Sequence, residues 1–276
     1  MSEQQKDMSF LDHLEVLRWH LVRSSIAVLS VSVIAFVFFK KLIFETIVFG
    51  PTTPEFYTYK LFCSISQKFN TEGLCIKEFP FTLQSTEVGE NFSIHIWTSI
   101  TAGFIIAFPY VLWEIWKFIS PGLYKKERKN AVAFIFISSM LFFAGVTFGY
   151  FVITPISINF FGSYSVSETI QNDFKIGSYI AMMKSAVLAS GVMFELPVVI
   201  YFLSKMGIVT PTFLKTYRKH AVVVVLILAA AITPPDVISQ IIVTIPILIL
   251  YEVSIVITSV VYKRANKELI KTNKKT

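Results

Sequence analysis

Three carboxylates lie in or beside stretches of this sequence that are otherwise apolar. Glu195 stands inside an apolar run from Ser185 to Leu203, Asp236 follows two prolines just before the last apolar run, and Glu252 interrupts that run. A charged side chain at the centre of a membrane costs about 3 kcal/mol or more, so such residues usually face a protein interior or a water-filled cavity. They commonly mark ion or proton pathways. Glu195 is therefore the first candidate functional residue.

Local features of the sequence bear on each of these acids. Pro197 removes one backbone donor and leaves the carbonyl of Met193 without its helical partner, so the helix should bend or open beside Glu195. Asp236 has two interpretations. It belongs to a polar site in the membrane, or it caps the helix that begins after it. For Glu252 we expect hydrogen bonds to neighbouring backbone or Ser/Thr groups.

A fourth acid stands among bases in the segment from Ser120 to Asn130. Glu127 has two lysines before it and an arginine and a lysine after it. Such a run is usually a solvated loop that fixes the orientation of a membrane protein. Its carboxylate could instead bind a guanidinium group through two parallel hydrogen bonds, a geometry that lysine matches poorly. Phe118 would then add an apolar contact.

No catalytic or metal-binding pattern accompanies these charges. The sequence holds no hydrolytic triad, zinc-ligand spacing, glycine-rich phosphate loop or pair of catalytic acids. We therefore expect no enzyme activity, no cofactor and no metal. The net charge of +7 is gathered in short clusters between apolar runs, where membrane proteins carry their orientation signals. We therefore expect no nucleic-acid partner.

The composition is that of a protein that crosses a membrane several times. Of 276 residues, 54% are hydrophobic and 27 are Phe, and the mean hydropathy is +0.64. A soluble domain of this size could not bury so much apolar surface. The sequence predicts an all-α polytopic membrane protein with six transmembrane helices. The predicted spans are Val22–Phe39, Ile96–Ile119, Ala131–Ile153, Ser185–Leu203, Ala221–Ile232 and Val237–Val261.

The segments between the spans predict the orientation. The loops after the second and fourth spans and the tail at 263–276 are basic, whereas the loops after the first, third and fifth spans are acidic or nearly neutral. The positive-inside rule then puts both termini in the cytoplasm. We expect one domain over 1–276, with a cytoplasmic amphipathic lead-in at 1–21, a long extracytoplasmic loop at 42–92 and a second polar loop at 157–180.

The fifth predicted span is too short for a normal bilayer. Ala221 to Ile232 is only 12 residues, or about 18 Å of helix against a hydrocarbon core of about 30 Å. If Glu252 lies near the far interface, the sixth helix is short as well. The bilayer beside this hairpin should then thin locally.

Two cysteines, Cys63 and Cys75, lie in the long loop at 42–92. One interpretation is a disulfide, worth about 3 kcal/mol for a loop of this size. It needs the oxidising compartment that the predicted topology provides. The other interpretation is two free thiols. The spacing matches no metal or redox motif.

Three stretches resemble the best-marked motifs of one family of membrane proteins. They are Phe118-Ile-Ser-Pro-Gly-Leu123-Tyr124-Lys-Lys-Glu127-Arg128, Phe194-Glu195-Leu-Pro197 and Thr233-Pro234-Pro235-Asp236-Val-Ile-Ser-Gln240. On these motifs, in this order, the chain resembles the TatC family, the receptor component of the twin-arginine protein translocase. The resemblance covers residues 10–262. It implies a concave, open-sided, glove-like arrangement of six helices, N-in and C-in, with short fifth and sixth helices.

The N-terminal pattern of the family is shifted by one position here. The pattern is His-Leu-x-Glu-Leu-Arg, and this chain reads His13-Leu-Glu15-Val16-Leu-Arg18. The acid of the pattern would stand at Val16, whereas Glu15 comes one residue earlier and about 100° away around a helix. Pro51, after the first span, matches a family proline.

The resemblance implies a non-enzymatic receptor for twin-arginine signal peptides. The receptor would also be the core of a translocase that exports folded proteins across the cytoplasmic membrane, driven by the proton-motive force. Glu127, helped by Glu15, would pair with the two arginines of the signal, and Phe118 would pack nearby. The implied signal-binding residues are Glu127, Phe118, Glu15, Arg18, Leu123, Tyr124 and Arg128.

The resemblance also implies partners within the membrane. They are single-span subunits of the TatA and TatB type, further copies of this chain and the lipid bilayer. The implied intramembrane contacts are Glu195, Pro197, Asp236 and Gln240, and the implied structural prolines are Pro51, Pro234 and Pro235. An alternative function of another class is a small proton-coupled solute transporter that uses Glu195 and Asp236. Transporters usually show repeated halves, and the first three spans do not obviously repeat in the last three.

Overall fold

The computed structural model describes residues 10–69, 81–120, 131–167 and 172–273. Within these residues, five helical stretches are long and apolar enough to cross a membrane. They are Leu14–Phe38, Glu90–Ile119, Val132–Ser163, Ile176–Lys205 and Ser239–Lys263. The chain is therefore a helical multi-pass membrane protein, as its composition predicts.

Helices and two short strands make up the described chain. In chain order they are α1 Phe10–Phe38, α2 Tyr57–Phe69, β1 Phe81–Gln84, α3 Glu90–Ile119, α4 Ala131–Phe148, α5 Thr154–Ser163, β2 Asn172–Lys175, α6 Ile176–Phe194, α7 Leu196–Lys205, α8 Pro211–Thr216, α9 Arg218–Ile232 and α10 Val237–Asn273. The sequence predicts one domain, whereas the packing separates two compact units. The first is Met1–Phe44 with Val88–Met140, and the second is Glu45–Glu87 with Leu141–Thr276.

The first unit is built on α1 and α3, which make the most extensive contact between described elements. Gly103 of α3 permits this approach, because an added Cβ would lie 2.1 Å from Ser32 Oγ and 2.8 Å from the Ser32 backbone nitrogen. α1 is one continuous helix of 29 residues. The described part of the predicted lead-in, residues 10–21, therefore runs without a break into the first span, and no Gly or Pro interrupts Phe10–Phe38.

Close backbone packing between the α4 region and α6 lies at the centre of the second unit. An added Cβ at Gly145 would lie 2.5 Å from the Ser190 carbonyl oxygen, and one at Gly149 would lie 2.7 Å from the Ala186 carbonyl oxygen. Ser190 Oγ also donates a hydrogen bond to the Gly145 carbonyl. Small residues spaced four apart allow two membrane helices to approach in this way.

Replacing Gly149 by valine is expected to destabilise the second unit by about 1–3 kcal/mol, the usual cost of overpacking a close contact. The new Cβ would meet the backbone of α6 rather than a flexible side chain. Thermal unfolding in detergent, followed by size-exclusion chromatography, measures the effect. Ala144→Val on the same helix is the control, because Ala144 is exposed. Equal melting temperatures for the two variants would contradict this packing.

The third helical stretch is longer than predicted. α4 continues through a π-helical turn, Gly149–Ile153, directly into α5. Thr154 Oγ1 donates a hydrogen bond to the Gly149 carbonyl at 2.9 Å. Pro155 stands in the first turn of α5, where its missing N–H is tolerated. The predicted end of this span and the predicted loop at 157–180 are therefore wrong, because most of that loop belongs to α5, β2 and the start of α6.

The predicted loop at 42–92 contains regular structure. It includes α2 and β1, and α3 begins inside it at Glu90. β1 pairs in parallel with β2, and Thr82 Oγ1 donates a hydrogen bond to Asp173 Oδ1 at 2.5 Å. The sequence gives no local signal for such a pairing, because its two strands are about 90 residues apart and each has only four residues.

Pro51 and Tyr59 anchor the first part of this segment. Pro51 is buried in the 3-10 turn Gly50–Thr52, and its carbonyl accepts a hydrogen bond from Tyr59 Oη at 2.9 Å. Burial raises the pKa of the Tyr59 phenol well above its ordinary value, so the hydroxyl stays a donor. Cys63 of α2 is disulfide-bonded. Cys75 lies outside the described residues, so the pair of these two cysteines stays a prediction.

The last two helices differ in length. α9 has 15 residues, about 22 Å, as expected for a short fifth helix, and its crossing of the membrane stays a prediction, as does the orientation of the termini. α10 has 37 residues, so the prediction of a short sixth helix is wrong. The helix continues beyond Lys263 because the tail is rich in strong helix formers and has no Gly or Pro. The turn before α10 contains Pro234, which is buried, and Pro235, which is exposed.

Candidate functional site

The fourth predicted span breaks at its carboxylate. α6 ends at Phe194 and α7 begins at Leu196, with Glu195 in a turn between them. The Glu195 N–H donates to the Val192 carbonyl at 3.1 Å, and Pro197 occupies the first turn of α7. Because proline has no N–H, it cannot make the backbone bond that would join the two helices. The helix break that the sequence predicts beside the acid is observed.

Glu195 lies beside the apolar core of the second unit. The residue is 9% exposed, and its neighbours Met193 and Leu196 pack against that core. The buried core residues are Ile153, Ala186, Val225, Ala229, Val243 and Ile247. They come from the π-helical turn, α6, α9 and α10, so four elements hold the turn that carries the carboxylate.

Asp236 and Gln240 organise the start of α10. Asp236 Oδ2 accepts a hydrogen bond from the Ser239 backbone N–H at 2.7 Å, which is the geometry of a helix N-cap. Gln240 Nε2 donates to the Leu226 carbonyl at 3.1 Å and so ties α10 to α9. The capping interpretation of Asp236 is confirmed. The other oxygen, Oδ1, is buried without a hydrogen-bond partner in the described structure, so a role of Asp236 as an intramembrane polar site stays a prediction.

Glu252 forms an ion pair on α10. Arg218 Nη2 lies 2.7 Å from Glu252 Oε2, and both side chains are exposed. The adjacent Tyr251 donates its hydroxyl to the Leu214 carbonyl at 2.8 Å, which ties α10 to α8. Glu252 therefore has a structural partner, but that partner is an arginine of α9 rather than the neighbouring backbone or Ser/Thr group that the sequence predicts.

The N-terminal charges of α1 lie on its exposed surface. Arg18 Nη2 is 3.9 Å from Glu15 Oε1, and the two side chains are 67% and 65% exposed. Val16, at the acid position of the TatC pattern, is 37% exposed. A shallow apolar groove of about 400 Å³ runs along the same helix from Leu14 to Ile26, and Arg18 lines it as well.

A buried acid that the sequence analysis did not single out lies near the end of α3. Glu114 is 1% exposed. Its Oε1 accepts a hydrogen bond from Lys117 Nζ at 2.8 Å, and its Oε2 accepts one from His20 Nδ1 of α1 at 2.6 Å. The signal that could have found Glu114 is the one that found Glu195, namely an acid inside an apolar run of spanning length.

Phe118 belongs to the same part of the first unit. It stands one turn after Glu114, and its ring centroid is 6.3 Å from that of His20. The other predicted signal-binding residues of this region follow within ten positions and lie outside the described residues; they are Leu123, Tyr124, Glu127 and Arg128. In the part of the chain that the structure describes, no group of three or more His, Cys, Asp or Glu side chains could hold a metal ion.

Known proteins resemble this chain over nearly its whole length. A protein from Blattabacterium sp. subsp. Periplaneta americana (strain BPLAN), named Sec-independent protein translocase protein TatC, is 39% identical over 266 residues, which cover 96% of this chain and 100% of the relative. A protein of the same name from Desulforapulum autotrophicum is 36% identical over 270 residues, which cover 97% and 90%. Both names describe a component of a protein translocase rather than an enzyme.

Solved structures and a family model agree with these relatives. A crystal structure described as the twin arginine translocase receptor TatC has a TM-score of 0.64 and 31% identity, and the match covers 91% of this chain and 99% of that one. A second, in DDM, has a TM-score of 0.69 and 33% identity, with 89% and 99% covered. The family model described as Sec-independent protein translocase protein (TatC) matches residues 12–246. The chain therefore belongs to the TatC family of Sec-independent protein translocase proteins.

Proposed function

We propose that this chain is the receptor for precursors with an Arg-Arg signal and the core of a translocase that exports folded proteins. The membrane is the cytoplasmic membrane, both termini are cytoplasmic, and the energy source is the proton-motive force. The observation that carries the proposal is the family match over residues 12–246. The two related crystal structures, 31% and 33% identical, are described as a twin arginine translocase receptor, which supports the receptor role.

The chemistry of arginine recognition supports the assignment of the signal-binding residues. A carboxylate at Glu127 can accept two parallel hydrogen bonds from one guanidinium, whereas a lysine ammonium cannot match both oxygens in this way. Glu15 is exposed and holds Arg18 only at 3.9 Å. Because an exposed pair of this kind contributes about 0–1 kcal/mol, Glu15 can exchange Arg18 for an arginine of the signal at little cost.

The apolar part of a signal peptide needs a surface beside the arginine site. The groove on α1 begins next to Glu15 and Arg18 and is lined mostly by Leu, Val and Ile side chains. A signal whose arginines lie at the N-terminal end of α1 could extend its apolar segment along this groove. The continuity of α1 from Phe10 to Phe38 supports this path, because one continuous helix carries both surfaces.

Partners within the membrane form the second part of the proposal. Glu195 is the proposed polar contact for single-span subunits of the TatA and TatB type, and further copies of this chain complete the assembly. A carboxylate kept in a membrane span must meet a polar group or water, and Glu195 stands where the helix is already broken. α9 has only 15 residues, so a locally thin bilayer beside it would favour short partner helices.

Photocrosslinking tests the receptor role. A photoreactive residue at Lys126, next to Glu127, is expected to crosslink to a precursor with Arg-Arg and to lose that crosslink when the pair is changed to Lys-Lys. The same residue at Lys60, an exposed position of α2, is the control and is expected to crosslink to neither precursor. Equal crosslinking of the Arg-Arg and Lys-Lys precursors at Lys126 would contradict the proposed function.

A further inference from the structure

A buried carboxylate with an exposed counter-ion lies near the end of α3. The Glu114 side chain is 1% exposed, whereas Lys117, whose Nζ lies 2.8 Å from Glu114 Oε1, is 44% exposed. The other oxygen, Oε2, lies 2.6 Å from His20 Nδ1, and the His20 side chain is 15% exposed. The acid is therefore inside the protein, and one of its two partners reaches it from the surface.

The burial of Glu114 makes its partners necessary. A carboxylate taken out of water loses much of its hydration free energy, and the loss is offset only while charged or hydrogen-bonding groups stay in contact with it. Lys117 can therefore leave Glu114 only if another cation arrives. The arrangement therefore favours the exchange of one cation for another at Glu114 over a state in which Glu114 has no cation beside it.

One of the predicted signal-binding residues, Phe118, lies beside this cluster. Phe118 is one turn after Glu114, and its ring is close to that of His20. On α1, Val16 is one turn before His20 and therefore on the same face of the helix, whereas Glu15 is about 140° away from His20 around the helix axis. The α1 face that reaches α3 thus has no acid at the position of the family pattern. The carboxylate found at this face is Glu114.

We propose that Glu114 binds an arginine of the signal peptide, in place of the acid that the TatC pattern has at Val16, and that Lys117 is a resident cation which this arginine displaces. The proposal rests on the proposed function, because its ligand is the Arg-Arg signal. A second contact is available to the displaced lysine. Its Nζ lies 5.5 Å from the centroid of the Trp113 ring, and an aromatic face of this kind attracts cations.

An incoming cation must bind Glu114 more strongly than Lys117 does in order to displace it. Lys117 is tethered three residues from Glu114, so it competes at a high effective concentration. A lysine of the precursor offers Glu114 the same single ammonium contact and therefore gains almost nothing by displacing it. A guanidinium has five donors in a planar fork, so it can replace the lysine at Oε1 and still donate to a second acceptor. An arginine of the precursor can therefore displace Lys117 from Glu114, whereas a lysine of the precursor cannot.

Binding of fluorescent signal peptides to the full-length protein in nanodiscs tests the exchange. Because competition lowers the affinity for any cation, Lys117→Met is expected to tighten binding of Arg-Arg and Lys-Lys peptides alike, by about tenfold. Lys117→Arg is expected to weaken both, since a tethered guanidinium is the stronger competitor. Glu114→Gln is expected to weaken Arg-Arg binding by about tenfold. Lys215→Met, at an exposed lysine of α8, is the matched control and should change neither.

The two Lys117 variants are expected to change the peptide affinity in opposite directions, and this distinguishes cation exchange from a purely structural role of Lys117. If Lys117 only stabilises the fold, Lys117→Met cannot raise affinity, so unchanged or weaker binding in that variant would overturn the proposal. Lys117→Arg keeps the charge and the fold, and unchanged binding there would overturn it as well. Failure of the proposed function has a different signature, because the unsubstituted protein would then bind Arg-Arg and Lys-Lys peptides equally.

Discussion

Replacing Glu127 by alanine is expected to abolish detectable binding of a twin-arginine signal peptide. The substitution removes the carboxylate from a charge-assisted, two-bond contact and leaves a guanidinium of the signal without its partner. Loss of one member of such a pair costs about 2–5 kcal/mol, which is about 30-fold or more in the dissociation constant. Equilibrium binding of a fluorescent Arg-Arg peptide to the protein in nanodiscs gives the value directly.

Two further measurements show whether the charge of Glu127 is the cause. Binding to the unsubstituted protein should weaken as salt is raised, because ions screen exposed charge pairs. Glu55→Ala removes an exposed acid from the segment predicted to lie on the other side of the membrane and is the matched control. A Glu127→Ala protein that binds the peptide with unchanged affinity would refute the assignment of this residue.

The helices and the helix break at Glu195 could be predicted because their signals are local. An apolar run of spanning length determines a helix by itself, and a proline two residues after an acid determines where that helix loses a hydrogen bond. Asp236 shows the limit of such reasoning. Its sequence neighbours allow both a cap and an intramembrane site; the bond to the Ser239 N–H confirms the cap, and the intramembrane site stays a prediction.

Features that depend on residues distant in sequence could not be predicted. The parallel pairing of β1 with β2 joins two four-residue segments that flank different spans, and neither has a pattern of its own. The close approach at Gly149 depends on which face of α6 it meets. The length of α10 was missed for another reason, since a change from apolar to basic residues ends a membrane span but does not end a helix.

Glu114 and Glu195 have the same sequence signal, an acid inside an apolar run, but only Glu195 is singled out by the sequence analysis. Glu114 lies near the end of its run and is followed by Lys117. The structure gives Glu114 the lower exposure, 1% against 9%. Its second partner, His20, is 94 residues away, and a pairing over that distance has no local signal.

Replacing Glu195 by glutamine is expected to stop export while signal binding remains intact. Glutamine keeps the volume of the side chain, so packing beside Met193 and Leu196 should change little, whereas the negative charge is lost. We expect a partner helix or water to meet that charge during transport. Export of a folded Arg-Arg reporter by cells that express only the variant measures transport, and peptide binding in nanodiscs measures the receptor step.

The separation of the two effects follows from where the residues belong. Phe118, Glu114 and Glu15 are in the first unit, whereas Glu195 is in the second, so a substitution confined to the turn between α6 and α7 should not reach the arginine site. Glu252→Gln is the matched control, because it removes a charge from an exposed pair that contributes about 0–1 kcal/mol. Export at full rate with Glu195→Gln would mean that a buried acid beside a helix break serves packing alone. Loss of signal binding with Glu195→Gln would instead count against this role of Glu195.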